Sequence, residues 1–429
     1  MNNRNYHIET LALHAGQEIE PATRARAVPV YRTTAYNFKS SKHGADLFAL
    51  REPGNIYARL MNPTNDVLEK RLAQLDGGAA ALTLSSGTAA IYFAVTNILR
   101  QGDELVSANN LYGGTFTQFD AILPQQGITV RFAPVNDFAA TEAAINEKTR
   151  ALYIETVGNP ALDVADIEGY AAIAKKHHLP LIVDATFTPP TLLRPIEHGA
   201  NIVIHSLSKW IGGHGTGIGG VVVDAGNFDW TDPKFSLYNE PDRGYHGLRF
   251  AHDLGELNPL AFILRLRTVG LRNQGPTLAP DAAWLFLQGV ESLPLRMERH
   301  SSNALKVAEF LKNHPKVAWV RYPGLSGDPS HDLAQKYLPD GAGGMVVFGV
   351  RGGSAEGIKL VDNIGLFSIL ANVGDAKSLI IHPASTTHSQ LSDEDQRKAG
   401  LTPELVRLSI GLEHVDDIIA ALDDALILI

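Results

Sequence analysis

One lysine, one aspartate and a set of hydroxyl and glycine residues carry the chemistry this chain offers. The stretch 201–220, NIVIHSLSKWIGGHGTGIGG, opens with the apolar run Ile202 to Ile204, which predicts a buried strand delivering His205, Ser206, Ser208 and Lys209 into a glycine-rich loop. A lysine held at a strand mouth among small residues is desolvated. Its pKa falls, and the neutral amine becomes a nucleophile able to form a Schiff base. Leu181-Ile182-Val183 predicts a second buried strand, which ends on Asp184. Gly215, Gly217 and Gly220 also spell a dinucleotide fingerprint, but that motif must open a helix, and Val221 to Val223 read as a strand.

Other groups join these two if the chain folds as its pattern predicts. Ala80 to Leu84 reads as a strand, Ser85-Ser86-Gly87-Thr88 as a turn and Ala89 to Leu99 as a helix. That order makes either an anion site at Ser86, Gly87 and Thr88 or an ordinary N-cap. Tyr112, at a strand-to-helix turn, either lies over a flat ligand or is a core tyrosine. Glu155 and Asn159 sit where the strand 151–155 meets its loop. Tyr57 and Arg59 alternate with apolar neighbours, so an extended backbone points both the same way, toward an anion or onto each other. Arg407 is a charge inside the apolar strand 405–410, and a buried guanidinium must find an internal carboxylate or a ligand's. His177 and His178 point in different directions on a helix and have no third ligand at useful spacing, so no metal site is expected.

The elements that position these groups follow from alternation. Strand and helix patterns alternate from about 65 to 225, which predicts an α/β fold with a mostly parallel sheet, and such sheets bind ligands at the carboxyl ends of their strands. Ser86, Tyr112, Asn159, Asp184 and Lys209 all fall there. Residues 1–64 lack sustained periodicity and read as an extended N-terminal arm, 65–270 as the α/β domain, and 271–429 as a smaller C-terminal α+β domain. The irregular, aromatic segment 226–258 reads as a loop lining the site. A length of 429 residues suits two domains. The balance of 37 basic against 46 acidic residues, net −9, disfavours nucleic acid as a partner. The absence of cysteine removes disulfides and thiolate chemistry. No stretch approaches the ~18 apolar residues of a membrane helix, and a cytoplasmic protein without a membrane partner is expected.

Together, a lysine nucleophile, a strand-end aspartate, an anion site, an aromatic ring and an arginine match the needs of pyridoxal 5'-phosphate. The lysine holds its aldehyde, the aspartate keeps its pyridine nitrogen protonated, and N–H and hydroxyl groups anchor its phosphate. Nearly the whole chain resembles the Cys/Met-metabolism enzymes that use this cofactor on the aspartate-aminotransferase (type I) fold. The resemblance rests on YARLMNPT at 57–64, SSGTAA at 85–90, LYGGT at 111–115, VDATF at 183–187, HSLSKWIGGHG at 205–215, NVGDAKSLIIHPASTTH at 372–388 and RLSIGLEH at 407–414. The lysine-loop and NVGDAKSL wording is most similar to the O-acetylhomoserine sulfhydrylase branch. Asn372, where cystathionine synthases and lyases tend to carry serine, and Gly114, where methionine γ-lyases usually carry cysteine, point the same way. Ser208 replaces a frequent threonine and keeps the hydroxyl.

The resemblance implies Lys209 as the Schiff-base lysine and proton carrier, Asp184 on the pyridine nitrogen and Tyr112 stacked on the ring with a part in catalysis. It implies Ser86, Gly87, Thr88, Ser206 and Ser208 around the phosphate and Asn159 at the ring's phenolic oxygen. Tyr57 and Arg59 would reach the phosphate from a neighbouring subunit, making the active unit a homodimer, in this family usually within a homotetramer. Asn372 and Arg407 would face the substrate, Arg407 on its carboxylate. The implied reaction is γ-replacement on an acylated homoserine by sulfide or a thiol. The alternatives are cystathionine γ-synthesis, γ-elimination by a methionine or cystathionine lyase, and a non-catalytic binding protein on the same fold.

Overall fold

The computed structural model describes residues 6–387, 389 and 400–429; His388, which ends the 372–388 motif, lies outside them. Seven strands form the larger sheet: β1 (Ala80–Leu84), β2 (Glu104–Ala108), β3 (Thr129–Ala133), β4 (Thr149–Glu155), β5 (Leu181–Asp184), β6 (Ile202–Ser206) and β7 (Gly220–Asp224). Their spatial order is β1-β7-β6-β5-β4-β2-β3, parallel except where β7 runs against β1 and β6. The apolar runs that predicted strands are buried on both faces, as a covered parallel sheet requires.

Strict alternation then decides which side chain goes where. Leu152, Ile154, Val183 and Val203 face a core shared with the helices Pro63–Asp76, Ile167–Lys176 and Pro280–Glu291. Tyr153, Ile182, Ile202 and Ile204 face the opposite core, shared with the helices Gly87–Thr96 and Ala261–Arg265. Glu155, Asp184 and Ser206 lie two residues beyond members of this second set, so all three emerge on the same face at the carboxyl edge.

A smaller sheet, ordered β10-β11-β12-β9-β8, is built from β8 (Val317–Arg321), β9 (Met345–Val350), β10 (Ser368–Ile369), β11 (Leu379–Ile381) and β12 (Leu405–Ser409). The helices Leu293–Asn313 and Val415–Ile427 share its core. The α/β reading with a second, smaller α+β part therefore holds.

Two local expectations are corrected. The N-terminal segment contains helices Ile8–His14 and Ser41–Phe48, too short to show periodicity. The first docks on the chain's own body, with Ala12 and Ala15 fully buried and the Arg71 guanidinium donating to the Ala15 carbonyl at 2.9 Å. The segment 226–258 does not line the cleft within one chain. Its aromatics instead turn inward, Trp230 stacking on Tyr238 at 4.3 Å and packing on Phe262.

Candidate active site

A cleft of about 430 Å³ opens at the carboxyl edge of the larger sheet, where residues 371–373 and Arg407 of the smaller part close over it. Lys209 leaves β6 through a tight turn in which Leu207 N–H donates to the Gly219 carbonyl at 2.9 Å and Gly213 N–H to the Lys209 carbonyl at 2.8 Å. The next residue, Trp210, is fully buried, so the turn is anchored from below. Lys209 Nζ donates to Asn372 Oδ1 at 2.6 Å. Burial, and then the positive charge of Arg407, hold its ammonium below the usual lysine range. The neutral amine is thereby favoured, the state a carbonyl-trapping nucleophile needs.

Asp184 ends β5 and accepts Thr186 N–H at 2.8 Å. Burial raises its pKa; the Thr186 donors and His205 act against that rise. His205 points to the opposite face of β6, where its Nε2 meets Asp76 Oδ2 at 2.9 Å. Burial pushes this imidazole down, but Asp76 and Asp184 push it up by more, and the His205–Asp76 pair backs the Asp184 strand end.

The anion turn and the lysine turn are knitted together by glycines. A Cβ on Gly87 would stand 2.6 Å from Ser206 Cβ, and one on Gly220 would stand 2.2 Å from the Ser86 carbonyl oxygen. Gly220 therefore serves close approach of two backbones, which disposes of the dinucleotide pattern. Ser86 caps its helix by accepting Ala89 N–H at 3.0 Å and lies 3.1 Å from the Thr88 hydroxyl. The N-cap is observed, and it leaves the other first-turn N–H groups beside the Ser206 and Ser208 hydroxyls that line the same cleft. Such a lining suits a phosphate.

Arg407 projects from β12 and donates to Asn159 Oδ1 at 3.2 Å. Burial pushes its guanidinium down to about 10. Among the described residues it has found an amide and no internal carboxylate, which leaves the ligand alternative. Tyr112 is half exposed over the cleft, so it is not a core tyrosine. Tyr57 and Arg59 lie outside the cleft, with the Arg59 guanidinium 5.0 Å from the centre of the Tyr57 ring. All the other anticipated site residues line the one cleft.

Thr186 and Glu155 belong to it as well. Thr186 had no legible signal. Glu155 had the same one as Asp184, an acid closing an apolar strand, and it accepts Tyr112 N–H at 2.8 Å. The donor set, the desolvated lysine and the glycine-lined wall fit pyridoxal phosphate; among the described residues no group of histidine and acidic side chains is arranged to hold a metal ion.

Comparison with known proteins agrees with this geometry. A profile of the Cys/Met metabolism PLP-dependent enzymes matches residues 9–427. The O-acetyl-L-homoserine sulfhydrylase of Leptospira meyeri is 53% identical, covering 99% of this chain and 97% of that protein. The homocysteine synthase of Schizosaccharomyces pombe is 51% identical, over 98% of each. A solved chain from Campylobacter jejuni, provisionally named O-acetylhomoserine (thiol)-lyase, has a TM-score of 0.94 and 42% identity over 98% of this chain and 100% of its own, and contains N'-pyridoxyl-lysine-5'-monophosphate.

Proposed function

Because the chain belongs to the Cys/Met-metabolism PLP-dependent enzymes, we propose that it makes L-homocysteine from O-acetyl-L-homoserine and sulfide, releasing acetate. Methanethiol in place of sulfide would give methionine by the same exchange of a C–O for a C–S bond. The observation that carries the reading is the one cleft that Lys209, Asp184, Arg407 and the serine hydroxyls line together. Pyridoxal phosphate, when bound, supplies an aldehyde for covalent capture and a ring that stabilises negative charge on the substrate's α-carbon.

The chain's own groups do the rest. Ser86, Thr88, Ser206 and Ser208 hold the phosphate, with the first-turn N–H groups at Gly87. Asp184 keeps a proton on the ring nitrogen, Asn159 faces the phenolic oxygen and Tyr112 covers the ring face. Arg407 binds the substrate carboxylate, which replaces Asn159 as its partner. Lys209, released from Asn372 and neutral, takes the α-proton and later returns it. Tyr57 and Arg59 of a second copy reach the phosphate, so the active unit is a homodimer, assembled into a homotetramer. Among the described residues no helix is long and apolar enough to cross a membrane. A cytoplasmic location belongs to the same proposal.

The decisive measurement is kcat/KM for O-acetylhomoserine with sulfide against cysteine as nucleophile. Sulfide should win and yield homocysteine. A preference for cysteine, or release of a 2-oxoacid without added thiol, assigns the chain to one of the other family branches. Lys209→Ala should be colourless beside a yellow parent and should not turn over.

A further inference from the structure

Two acids share the floor of the cleft, and only one of them has an evident partner in the cofactor. β4 and β5 pair in parallel with Glu155 directly opposite Asp184, so adjacent strands bring both carboxyls out on one face. Both are buried. Like charges so placed oppose each other's ionisation.

Their donors differ. Asp184 has the Thr186 N–H and hydroxyl on one side and the His205–Asp76 pair behind it. Glu155 has the Tyr112 N–H, and the groups acting on it include no cation. The remaining neighbours are the Thr115 hydroxyl and, on its own strand, Tyr153, whose phenol burial pushes up and which offers no positive charge. Burial, and then the charge of Asp184, drive the Glu155 carboxyl well above the usual carboxylate range.

We propose that Glu155 is a positioning residue that works as a neutral carboxylic acid: it leaves the negative charge of the pair on Asp184 and fixes the Tyr112 turn by accepting its backbone N–H. The consequence for function is twofold. Asp184 stays free to hold the proton of the pyridine nitrogen, and Tyr112 keeps its ring over the cleft. A charged Glu155 would compete with Asp184 for that proton and for the donors around it.

The inference rests on the proposed role of Asp184 for its catalytic meaning, while its protonation state is testable alone. Infrared difference spectra of the cofactor-loaded and cofactor-free enzyme, parent minus Glu155→Gln at about pH 8, should contain the C=O stretch of a protonated carboxylic acid. Absence of that band from the difference overturns the proposal, whatever the activity. In turnover, Glu155→Leu, which removes the acceptor, should lower kcat by about tenfold or more, and Glu155→Gln should recover most of the loss because it is neutral and still accepts the N–H. If Glu155→Gln is as impaired as Glu155→Leu while both bind cofactor, a charged Glu155 is required and the proposal falls. Should Glu155→Leu fail to fold, the infrared comparison on Glu155→Gln still decides. A colourless parent would sink the cofactor chemistry without touching the infrared band; a yellow, active parent lacking the band would sink this inference alone.

Discussion

Two guanidinium groups lie buried near the lysine turn, each pushed down to about 10 by its burial, yet they do different work. Arg296, on the helix Leu293–Asn313, donates to the carbonyls of Trp210, Ile211 and Gly289 at 2.7, 3.0 and 2.8 Å and to the Ser292 hydroxyl at 3.1 Å. Arg407 donates to Asn159 alone among the described residues. A guanidinium has five N–H donors. Arg296 is nearly saturated by the fold, whereas Arg407 keeps most of its donors for something the chain does not supply. A buried charge is therefore no mark of a binding site by itself; unfilled donors facing a cleft are.

Removing each arginine separates the two roles. Arg296→Leu leaves the Trp210 and Ile211 carbonyls without their donor, each worth roughly 1–3 kcal/mol, while Gly289 keeps the Ser292 hydroxyl at 3.3 Å, and it should lower unfolding stability by about 4 kcal/mol in urea titrations. A loss below about 1 kcal/mol would mean that the carbonyls find other donors, and the contrast would collapse. For Arg407→Ala the expected loss is in catalysis instead: kcat/KM down by about 3 kcal/mol, or roughly 100-fold, mostly through KM, with the urea midpoint nearly unchanged. An unchanged KM would remove Arg407 from substrate capture.

A third arginine marks the opposite extreme. Arg59 is exposed and rests on Tyr57, outside the Lys209 cleft of its own chain. If a second copy supplies the anion it binds, Arg59→Ala should weaken cofactor binding by about 2 kcal/mol, read from the visible absorbance during cofactor titration. At a cofactor concentration too low to fill Arg59→Ala, mixing it with Lys209→Ala subunits should then restore activity that neither shows alone, because some shared sites would carry both native residues. Failure of the mixture to regain activity, with exchange of subunits verified, would confine each site to one chain.

These contrasts also explain what the amino-acid sequence could and could not disclose. Lys209, Asp184 and the Ser86 turn were legible because each closes or follows an apolar strand, and alternation then dictates the face on which they emerge. Arg296 was not legible: it sits on a helix among ordinary helical residues, and two of its partners are the Trp210 and Ile211 carbonyls, 86 and 85 residues away in sequence. Glu155 was visible as a strand-end acid, but its pairing with Asp184 depends on strand order and register, which periodicity does not encode. The helix Ile8–His14 spans 7 residues, under two turns of pattern. The inward turn of Trp230 and Tyr238 is a tertiary choice among aromatics that local composition reads equally well as a loop.

The same distinction between filled and unfilled partners applies to the acids, and it sets the pH dependence of stability. Asp224, at the end of β7, accepts Gly226 N–H at 2.9 Å and Ile263 N–H at 3.3 Å on the side away from the cleft. Burial raises its pKa from 3.8 to about 7. The folded protein thus binds a proton that the unfolded chain releases near pH 3.8. The stability this group contributes is full below that value and is lost as the pH rises through about 7. Asp224→Asn cannot ionise; its one carbonyl oxygen keeps the shorter Gly226 bond and gives up the longer Ile263 one, a cost that does not change with pH. Relative to the parent it should gain about 1.4 kcal/mol between about pH 6 and pH 8, measured as the difference of two unfolding series, which cancels the slopes due to Glu155 and Asp184. A difference that stays flat across that window would show Asp224 ionised throughout, held by its two N–H donors as firmly as Asp184 is held by Thr186.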